Sequence, residues 1–397
     1  MPLFSNEILE DSVKKISENS DSWLSQYKFI ASKAVTNRRK YMHGARCFAQ
    51  TIIGFFINPL LSKTENVYIF EGIRNKEYMT IFRADSVVIV GSHLEKAYAK
   101  AHGYGFCWSF PMVSATQSKM GRDWNYPAIR QLRLWLEILS KFKKATFFLY
   151  EDTQPLGVFF VHIGKLLQPN VSTVCIQHGY FTITNYPIRL DGILSDINFV
   201  WDCRQAELIG SNPVATFEIG LPYFATAKQT NEINVVLVGT GMADYGTNVF
   251  QRSINTYVII HTMLANIKGI NIFYKPHPNE YNDEKTLDHI RKKFNIVDNP
   301  DKQKLLNGPR SIFIGTESSL LYEAGIAGHL VAHWKLGTDE IPVFDFDFEF
   351  EANEMSELLQ WILNMKNKNL VCKEDHITRI EPLERFKLAL CEAKIPF

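Results

Sequence analysis

Short, continuous runs of β-branched and aromatic residues alternate with longer helical stretches from about residue 65 onward. Because the runs lack the polar–apolar alternation of half-exposed strands, they predict strands that are buried on both faces of a parallel sheet. Repeated β-α-β order of this kind is typical of a doubly wound α/β fold. The runs in the first half of the chain are 67–70, 86–90, 145–150, 173–176 and 198–201.

A run of small and polar residues at 221–232 interrupts this pattern. We therefore predict two Rossmann-like domains facing a central cleft, with the amino-terminal one in residues 1–225 and the carboxyl-terminal one in residues 226–397. The first 64 residues predict a helical extension, and the tail predicts a helix that packs back on the first domain. Predicted strands at 234–238, 271–274, 311–314 and 330–333 restart the pattern after the break.

Composition and charge narrow the class of protein. The 397 residues are 46% hydrophobic and 21% charged, which is typical of a soluble globular chain. Lys and Arg number 43 against 42 Asp and Glu, and this balance argues against nucleic acid as a partner. The six cysteines occur singly, so neither a disulfide scaffold nor a structural zinc site is expected.

The first residues bear on the location of the protein. Residues 1–20 are acidic and amphipathic, unlike a secretory signal, and predict a cytoplasmic protein. The apolar segment 47–62 follows a basic run but is too short to span a bilayer. Two alternatives stay open for this segment: a buried helix, or a surface helix in peripheral contact with the inner face of the cytoplasmic membrane.

The most informative polar segment, 274–280, directly follows a predicted strand of the second domain. Prolines on both sides of His277 exclude helix there and fix the imidazole in a stiff turn at the carboxyl edge of the sheet. Lys275, Pro278 and Glu280 share this turn. We expect a ligand contact at His277, against the alternative of a loop histidine that bonds only to backbone.

Two further turns follow strands of the second domain. One leads through Thr316 into Ser318, Ser319 and a helix. The hydroxyls and free amides of this helix start predict a phosphate cradle, although serine is also the favoured ordinary cap. The other turn contains Gly239 and Gly241 but lacks the third glycine of a dinucleotide fingerprint, so it predicts a tight turn or a close approach of phosphate.

Two strand ends of the first domain also carry polar side chains. Glu151 and Asp152 follow one strand, and two adjacent carboxylates there are suited to deprotonating a hydroxyl, unless they are simply solvated. Gln177, His178 and Gly179 follow the next strand. We expect His178 to act as an acid, a base or a ligand contact, and Gly179 to permit a sharp turn.

These motifs carry a family resemblance. Glu151-Asp152, Lys275-Pro276-His277-Pro278 and Ser318-Ser319 resemble, in order and spacing, the motif set of bacterial sialyltransferases and polysialyltransferases. The Gln177-His178-Gly179 and K-P-H-P segments are also similar to those of capsule and lipopolysaccharide Kdo transferases. The resemblance implies the GT-B fold. The acidic motif departs from the family pattern because Thr153 replaces its glycine, and the base stays open between Glu151 and Asp152.

The resemblance also implies an activity. This is the metal-independent, inverting transfer of a sialic acid, Kdo or related nonulosonic acid from a CMP donor to a hydroxyl of an oligosaccharide or lipid-linked glycan. Asp152 would be the general base, His277 would assist the departure of CMP, and Ser318 with Ser319 would hold the donor phosphate. Donor contacts are expected from Lys275, Pro278, Glu280, Thr316, Gly239 and Gly241, and acceptor contacts from Gln177, His178 and Gly179.

No cofactor and no metal ion are expected, since the D-x-D match at 345–347 lies in a late aromatic-acidic run and is interpreted as coincidental. Two alternatives to the CMP-dependent transferase stay open. One is another nucleotide-sugar enzyme on the same fold, such as a sugar-nucleotide 2-epimerase or a CDP-polyol phosphotransferase. The other is a non-catalytic protein of polysaccharide assembly.

Overall fold

The computed structural model describes most of the chain after residue 65. Glu151, Thr153, Gly241 and the segments 47–62 and 345–347 lie outside the described residues. The described residues are 5–12, 14–15, 65–74, 76–90, 92–108, 132–133, 135–150, 152, 155–179, 182–183, 194–209, 215–230, 232–239, 247–278, 280, 284–295, 302–316, 318–334, 343–344, 350–352, 354–367 and 381–397.

Strands and helices alternate up to residue 222. They are β1 (Asn66–Glu71), α1 (Lys76–Met79), a 3-10 helix (Thr80–Asp85), β2 (Ser86–Val90), α2 (His93–Ala101), β3 (Gly105–Trp108), β4 (Lys144–Leu149), α3 (Pro155–Leu167), β5 (Val171–Ile176), β6 (Thr182–Ile183), β7 (Ile197–Val200), α4 (Cys203–Ile209) and β8 (Ala215–Glu218).

The alternation continues after residue 222. The elements are β9 (Ile233–Val238), α5 (Thr247–Ala265), β10 (Ile270–Lys275), α6 (Glu284–Arg291), α7 (Lys302–Leu306), β11 (Ser311–Gly315), α8 (Ser319–Ile326), β12 (Leu330–Trp334), β13 (Val343–Phe344), β14 (Phe350–Ala352), α9 (Met355–Asn367) and α10 (Pro382–Glu392).

The chain divides into two compact units, each built from separate segments. Unit 1 contains Met1–His178, Ile188–Pro222 and Ile380–Phe397. Unit 2 contains Gly179–Pro187 and Tyr223–Arg379. The tail helix α10 therefore belongs to unit 1, on which the sequence predicted that it packs, although the predicted boundaries had counted it with residues 226–397.

Unit 1 is built on a parallel sheet of seven strands in the order β3-β2-β1-β4-β5-β7-β8. This order is that of a Rossmann sheet with an additional edge strand. It reverses between β1 and β4, where Phe70 pairs with Phe148. In open α/β sheets, ligands bind outside the carboxyl ends of the strands at such a reversal.

Aromatic side chains fill one face of the unit 1 sheet. The Phe70 and Phe148 rings stack with centroids 4.6 Å apart, and Phe82 packs against both. Helix α10 covers this layer, because Phe386 is fully buried and stacks on Tyr78 at 4.1 Å. Burying one such side chain stabilises the fold by about 1.5–3 kcal/mol, so the tail helix is an integral part of the unit 1 core.

Unit 2 is built on a parallel sheet of five strands in the order β10-β9-β11-β12-β14. Apolar side chains cover both faces: Tyr257 and Ile260 of α5 pack on one, and Leu321 and Ala324 of α8 on the other. Counted along the chain, the strand order is 2-1-3-4-5, the second common doubly wound order, and it reverses between β9 and β11. A separate antiparallel pair joins β6 to β13.

The protein thus consists of two Rossmann-like α/β domains, which is the domain composition of the GT-B fold that the sequence predicted. None of the helices in the described part of the chain has both the length and the apolar character needed to cross a membrane.

Candidate functional site

The reversal point of the unit 2 sheet brings together residues that are distant in sequence. Strands β9 and β10 are paired so that Val238 lies beside Lys275, and β11 flanks β9 on its other side. The turns after these three strands therefore leave the same edge of the sheet. Gly239 follows β9, His277 follows β10 and Thr316 follows β11, and the sequence had selected all three.

Glu280 anchors the turn that contains His277. Its Oε2 accepts a hydrogen bond from the backbone N–H of His277 at 2.9 Å and another from the hydroxyl of Tyr274 at 3.1 Å. The side chain of Glu280 is only 1% exposed. One buried carboxylate thus fixes both the end of β10 and the histidine that follows it.

The backbone of this turn differs in one respect from the prediction. Pro278 and Glu280 have helical geometry, so a helix begins immediately after His277. The sequence had predicted that the two prolines exclude helix on both sides of His277. Proline is tolerated in the first turn of a helix because its missing N–H has no intrahelical partner there. The residues directly before Pro278 are not helical, and His277 lies in the irregular segment between β10 and this helix.

There is no room for a side chain at position 239, because Tyr274, His277 and Glu280 pack directly against Gly239. A Cβ built on Gly239 would lie 2.3 Å from Oε2 of Glu280, 2.8 Å from the backbone nitrogen of His277 and 2.9 Å from the Tyr274 hydroxyl. Distances below 3.0 Å do not occur for real Cβ atoms. The glycine is therefore required by close approach of its neighbours, not by a special backbone conformation.

Burial shifts the pKa values of the groups around this turn. Desolvation and the nearby charge of Glu280 raise the pKa of Tyr274 well above its ordinary value, so this phenol stays protonated and donates. Desolvation lowers the pKa of Lys275, although Glu280 partly opposes the effect. The Lys275 ammonium donates to the carbonyl of Pro276 at 3.1 Å, a hydrogen bond inside the turn itself.

Thr316, at the end of β11, is held by the next strand. Nε2 of His333 lies 2.9 Å from the carbonyl oxygen of Thr316, and both side chains are buried. Since a carbonyl only accepts, Nε2 of His333 is the donor. The buried hydroxyl of Tyr257 also lies near Thr316 and donates to the carbonyl of Val238 at 2.8 Å.

Helix α8 begins three residues after Thr316. Oγ of Ser318 accepts from the backbone N–H of Leu320 at 3.3 Å, so this serine is the N-cap. An accepting hydroxyl still has its own proton to donate, and Ser319 lies half-buried beside it. The predicted cradle is thus an actual helix start, at which the partial positive charge of the helix favours an anion.

Asp152, the predicted base of unit 1, has a different environment from the one expected. It is fully buried, and its Oδ2 accepts from the backbone N–H groups of Leu194 at 2.9 Å and Ser195 at 2.8 Å. These contacts tie the turn after β4 to the segment that enters β7. One oxygen of Asp152 thus holds the backbone of this segment, and its role as a general base stays a prediction.

Gln177 is likewise a structural residue. Its side chain donates to Gln205 at 2.6 Å and accepts from the backbone N–H of Trp201 at 2.6 Å, and it is 3% exposed. Gly179 does not have the left-handed backbone expected of a sharp glycine turn, and a Cβ there would meet nothing within 4 Å. The acceptor contacts expected from Gln177 and Gly179 stay predictions.

His178 remains at the carboxyl edge of unit 1 with a half-buried ring. Its Nδ1 lies 2.8 Å from the carbonyl oxygen of Tyr150, the residue that follows β4. The Tyr150 and His178 rings meet edge to face at 5.9 Å. This contact links the ends of two neighbouring strands.

Three residues near His178 were missed in the sequence. The turn after β1 contains Glu71, which accepts from the backbone N–H of Tyr150 at 3.2 Å, and Gly72, which has a φ of 66° and lies against the Tyr150 hydroxyl. Arg74 lies 4.9 Å over the Tyr150 ring. The available signal was a glycine directly after a strand, with Glu71 before it and Arg74 two residues after it. The same pattern is also found in ordinary turns.

Comparison with known proteins gives structural but not sequence relatives. No protein-family model matches the chain, and no curated protein matches it. A UDP-GlcNAc 2-epimerase from Methanocaldococcus jannaschii is 11% identical, with 82% of this chain and 99% of that chain covered and a TM-score of 0.49. A glycosyltransferase from Rickettsia africae is 12% identical, with 84% and 97% covered and a TM-score of 0.48.

The wall teichoic acid polymerase TagF, in a structure with CDPG, is 10% identical, with 90% of this chain and 94% of that chain covered and a TM-score of 0.46. At such identities, the residues of this chain itself have to carry any functional inference.

Among the described residues, there is no group of three or more His, Cys, Asp or Glu side chains suited to holding a metal ion.

Proposed function

We propose that the protein is a glycosyltransferase that uses a nucleotide-activated sugar, with CMP-linked sialic acid, Kdo or a related nonulosonic acid as the donor. The acceptor is a hydroxyl of a bacterial surface glycan, such as lipopolysaccharide, O-antigen or capsule. One observation carries the proposal: Gly239 and the Ser318 helix start follow β9 and β11, between which the unit 2 sheet reverses, and His277 follows β10, the neighbour of β9. That is where doubly wound sheets bind phosphorylated ligands.

The chemistry of these residues suits a phosphate leaving group. A glycosyl transition state develops positive charge on the sugar and negative charge on the departing phosphate. Fixed donors stabilise the phosphate without having to reorganise during the reaction. Glu280 holds the backbone of His277, and the cap contact orients the Ser318 hydroxyl, which supports the use of both side chains as donors to that phosphate.

The order of the motifs supports the CMP-linked donor within this class. The segments Glu151-Asp152, K-P-H-P and Ser318-Ser319 resemble, in order and spacing, the motif set of sialyltransferases and polysialyltransferases. One observation favours the other nucleotide-sugar enzymes as a second candidate: Asp152, the base that the resemblance implies, is buried and held by two backbone amides. A 2-epimerase has no acceptor hydroxyl to deprotonate and does not need that base, whereas a CDP-polyol phosphotransferase also removes a proton from its acceptor hydroxyl.

Nucleotide binding and turnover test the two candidates. We expect CMP to raise the thermal midpoint of the protein more than UDP or CDP-glycerol at equal concentration. We also expect CMP release from CMP-Neu5Ac or CMP-Kdo in the presence of lactose or lipopolysaccharide, with and without EDTA. Preference for UDP or CDP-glycerol would move the assignment to the second candidate, and a strict metal requirement would contradict the proposed chemistry.

Variants of the strand-end residues test the site itself. His277→Ala should lower turnover by about 10²-fold or more, as for a lost acid or phosphate contact. Ser318→Ala and Ser319→Ala should weaken CMP binding, whereas Ser356→Ala, at the exposed start of α9, should not. Unchanged cellular glycan with folded His277→Ala would instead support a non-catalytic assembly protein.

A further inference from the structure

Tyr257, on helix α5, packs against the strand ends that carry the unit 2 site. Its hydroxyl donates to the carbonyl of Val238, the last residue of β9, at 2.8 Å. The same hydroxyl lies near both the backbone and the side chain of Thr316, which follows β11. The Tyr257 ring also meets the ring of Tyr274, in β10, edge to face at 5.8 Å. One buried side chain thus connects the ends of all three strands.

Thr316 lies just beyond the paired part of β11. The last residue of β11 that pairs with a neighbouring strand is Gly315, opposite His333 of β12. Buried backbone groups beyond the end of such a ladder need other hydrogen-bond partners. Nε2 of His333 donates to the carbonyl of Thr316 at 2.9 Å, and Tyr257 supplies the same kind of bond to Val238. Both carbonyls are therefore held by buried side chains.

The turns held in this way lead directly to the predicted phosphate contacts. Ser318, the N-cap of α8, comes two residues after Thr316. Two residues span at most about 7 Å, so a shift of Thr316 displaces the cap hydroxyl as well. Gly239 directly follows Val238, the other residue whose carbonyl is held. The spacing between these two turns therefore depends on the side chains of Tyr257 and His333.

We propose that Tyr257 and His333 are positioning residues for the nucleotide, which hold the turns after β9 and β11 at the separation that its phosphate requires. The role rests on the proposed function, which places the donor phosphate in unit 2. Each side chain acts through the backbone carbonyl that it fixes. A site preformed in this way does not have to reorganise when the phosphate binds. Burial raises the pKa of Tyr257, so its hydroxyl stays protonated and continues to donate.

Substitutions that remove one donor test each residue. Tyr257→Phe removes only the hydroxyl, and we expect it to raise the Kd for CMP by about tenfold, since a misplacement of about 1 Å in a site costs up to about 10²-fold. His333→Leu removes the donor to Thr316 and should have a similar effect. His333→Gln keeps a side-chain N–H that can donate to the same carbonyl, so it should restore most of the affinity. A residue that only filled the core would not be restored by an amide.

A double-mutant cycle tests whether Tyr257 acts through the start of α8. Ser318→Ala removes the cap hydroxyl that is proposed to hold the phosphate. If Tyr257 places that hydroxyl, Tyr257→Phe should weaken CMP binding by less than about threefold in the Ser318→Ala background. A tyrosine that only stabilised the domain would cost the same factor in both backgrounds, so equal losses would overturn the proposal.

His329 provides a matched control for His333. It is also buried, and its Nε2 also contacts a backbone carbonyl, that of Leu306 at 3.0 Å. It directly precedes β12, however, whereas His333 lies near the carboxyl end of that strand. His329→Leu should therefore lower the free energy of unfolding, measured with urea, and leave the Kd for CMP unchanged.

Binding of CMP, UDP and CDP-glycerol to the full-length protein is measured by isothermal titration calorimetry. If wild type binds CMP, and Tyr257→Phe and His333→Leu bind it within about twofold of wild type, the positioning role is wrong while the proposed function stands. If wild type binds only UDP or CDP-glycerol, the CMP-linked donor is wrong, and the same comparison with that nucleotide decides the positioning role. If wild type binds none of the three, the proposed function fails and the positioning role with it.

Discussion

The carboxylate of Glu280 and the backbone amide of His277 are joined by a hydrogen bond of 2.9 Å, and the same oxygen accepts from Tyr274. Glu280→Ala should therefore lower the free energy of unfolding by about 1–3 kcal/mol, because the buried Tyr274 hydroxyl and the part-buried His277 amide lose their partner. Urea denaturation measures this change. Glu232→Ala, which removes an exposed glutamate of the same unit, is the control and should be nearly neutral. Equal stability of the two variants would show that the Glu280 contacts are not maintained in solution.

Gly239→Ala should disturb the same cluster from the opposite side. The added methyl would meet the backbone nitrogen of His277 at 2.8 Å, which has to move. We expect a loss of about 1–3 kcal/mol, as for other overpacked sites, together with reduced CMP binding. Gly179→Ala, with open space around its Cβ, should unfold like wild type. Wild-type stability and binding in Gly239→Ala would contradict the packing described for this turn.

His329 should make stability depend on pH. Burial lowers its pKa to about 4, and in the neutral ring Nδ1 accepts from Ser311 while Nε2 donates to Leu306. Since the pKa in the unfolded chain is about 6.5, the unfolded state binds more protons between these values. The stabilising contribution is complete above about pH 6.5 and is lost as the pH falls towards about 4.

Urea denaturation of wild type at pH 7 and pH 5 should show a loss of about 2 kcal/mol from this residue. His329→Gln supplies the comparison, because its stability should change less over the same interval. The same change in both proteins would exclude His329 as the titrating group.

Phe386→Ala should destabilise unit 1 by about 3–5 kcal/mol. The ring is fully buried and stacks on Tyr78, so its removal opens a cavity in the aromatic layer. Leu388→Ala changes a residue of the same helix that is 55% exposed, and should cost little. Urea denaturation of the two variants checks the difference, and similar stabilities would mean that α10 is not docked as described.

The sequence predicted the central strands well because their apolar runs are unbroken. Ser86–Val90 was predicted to the residue, and its five side chains are all buried. The edge strand Ala215–Glu218 was missed, because its residues are only partly buried and carry no such signal. Edge strands form through pairing with a neighbour, which a local pattern does not encode.

The residues of the candidate site were selected from sequence, and their functional roles stay predictions. His277 and Glu280 were selected from local sequence, and the contact between them spans three residues. Asp152 was also selected, but its partners lie 42 and 43 residues away, so that only the fold reveals a buried carboxylate that holds backbone. The support of His178 by Tyr150, 28 residues away, was hidden for the same reason.

The discontinuous build of unit 1 has a consequence for synthesis on the ribosome. Its third segment, Ile380–Phe397, is translated only after the whole of Tyr223–Arg379. Until then, Tyr78 and Phe82 lack the Phe386 ring that packs on them. The domain that emerges first is therefore completed last, and its nascent form exposes an apolar surface of the kind that chaperones bind.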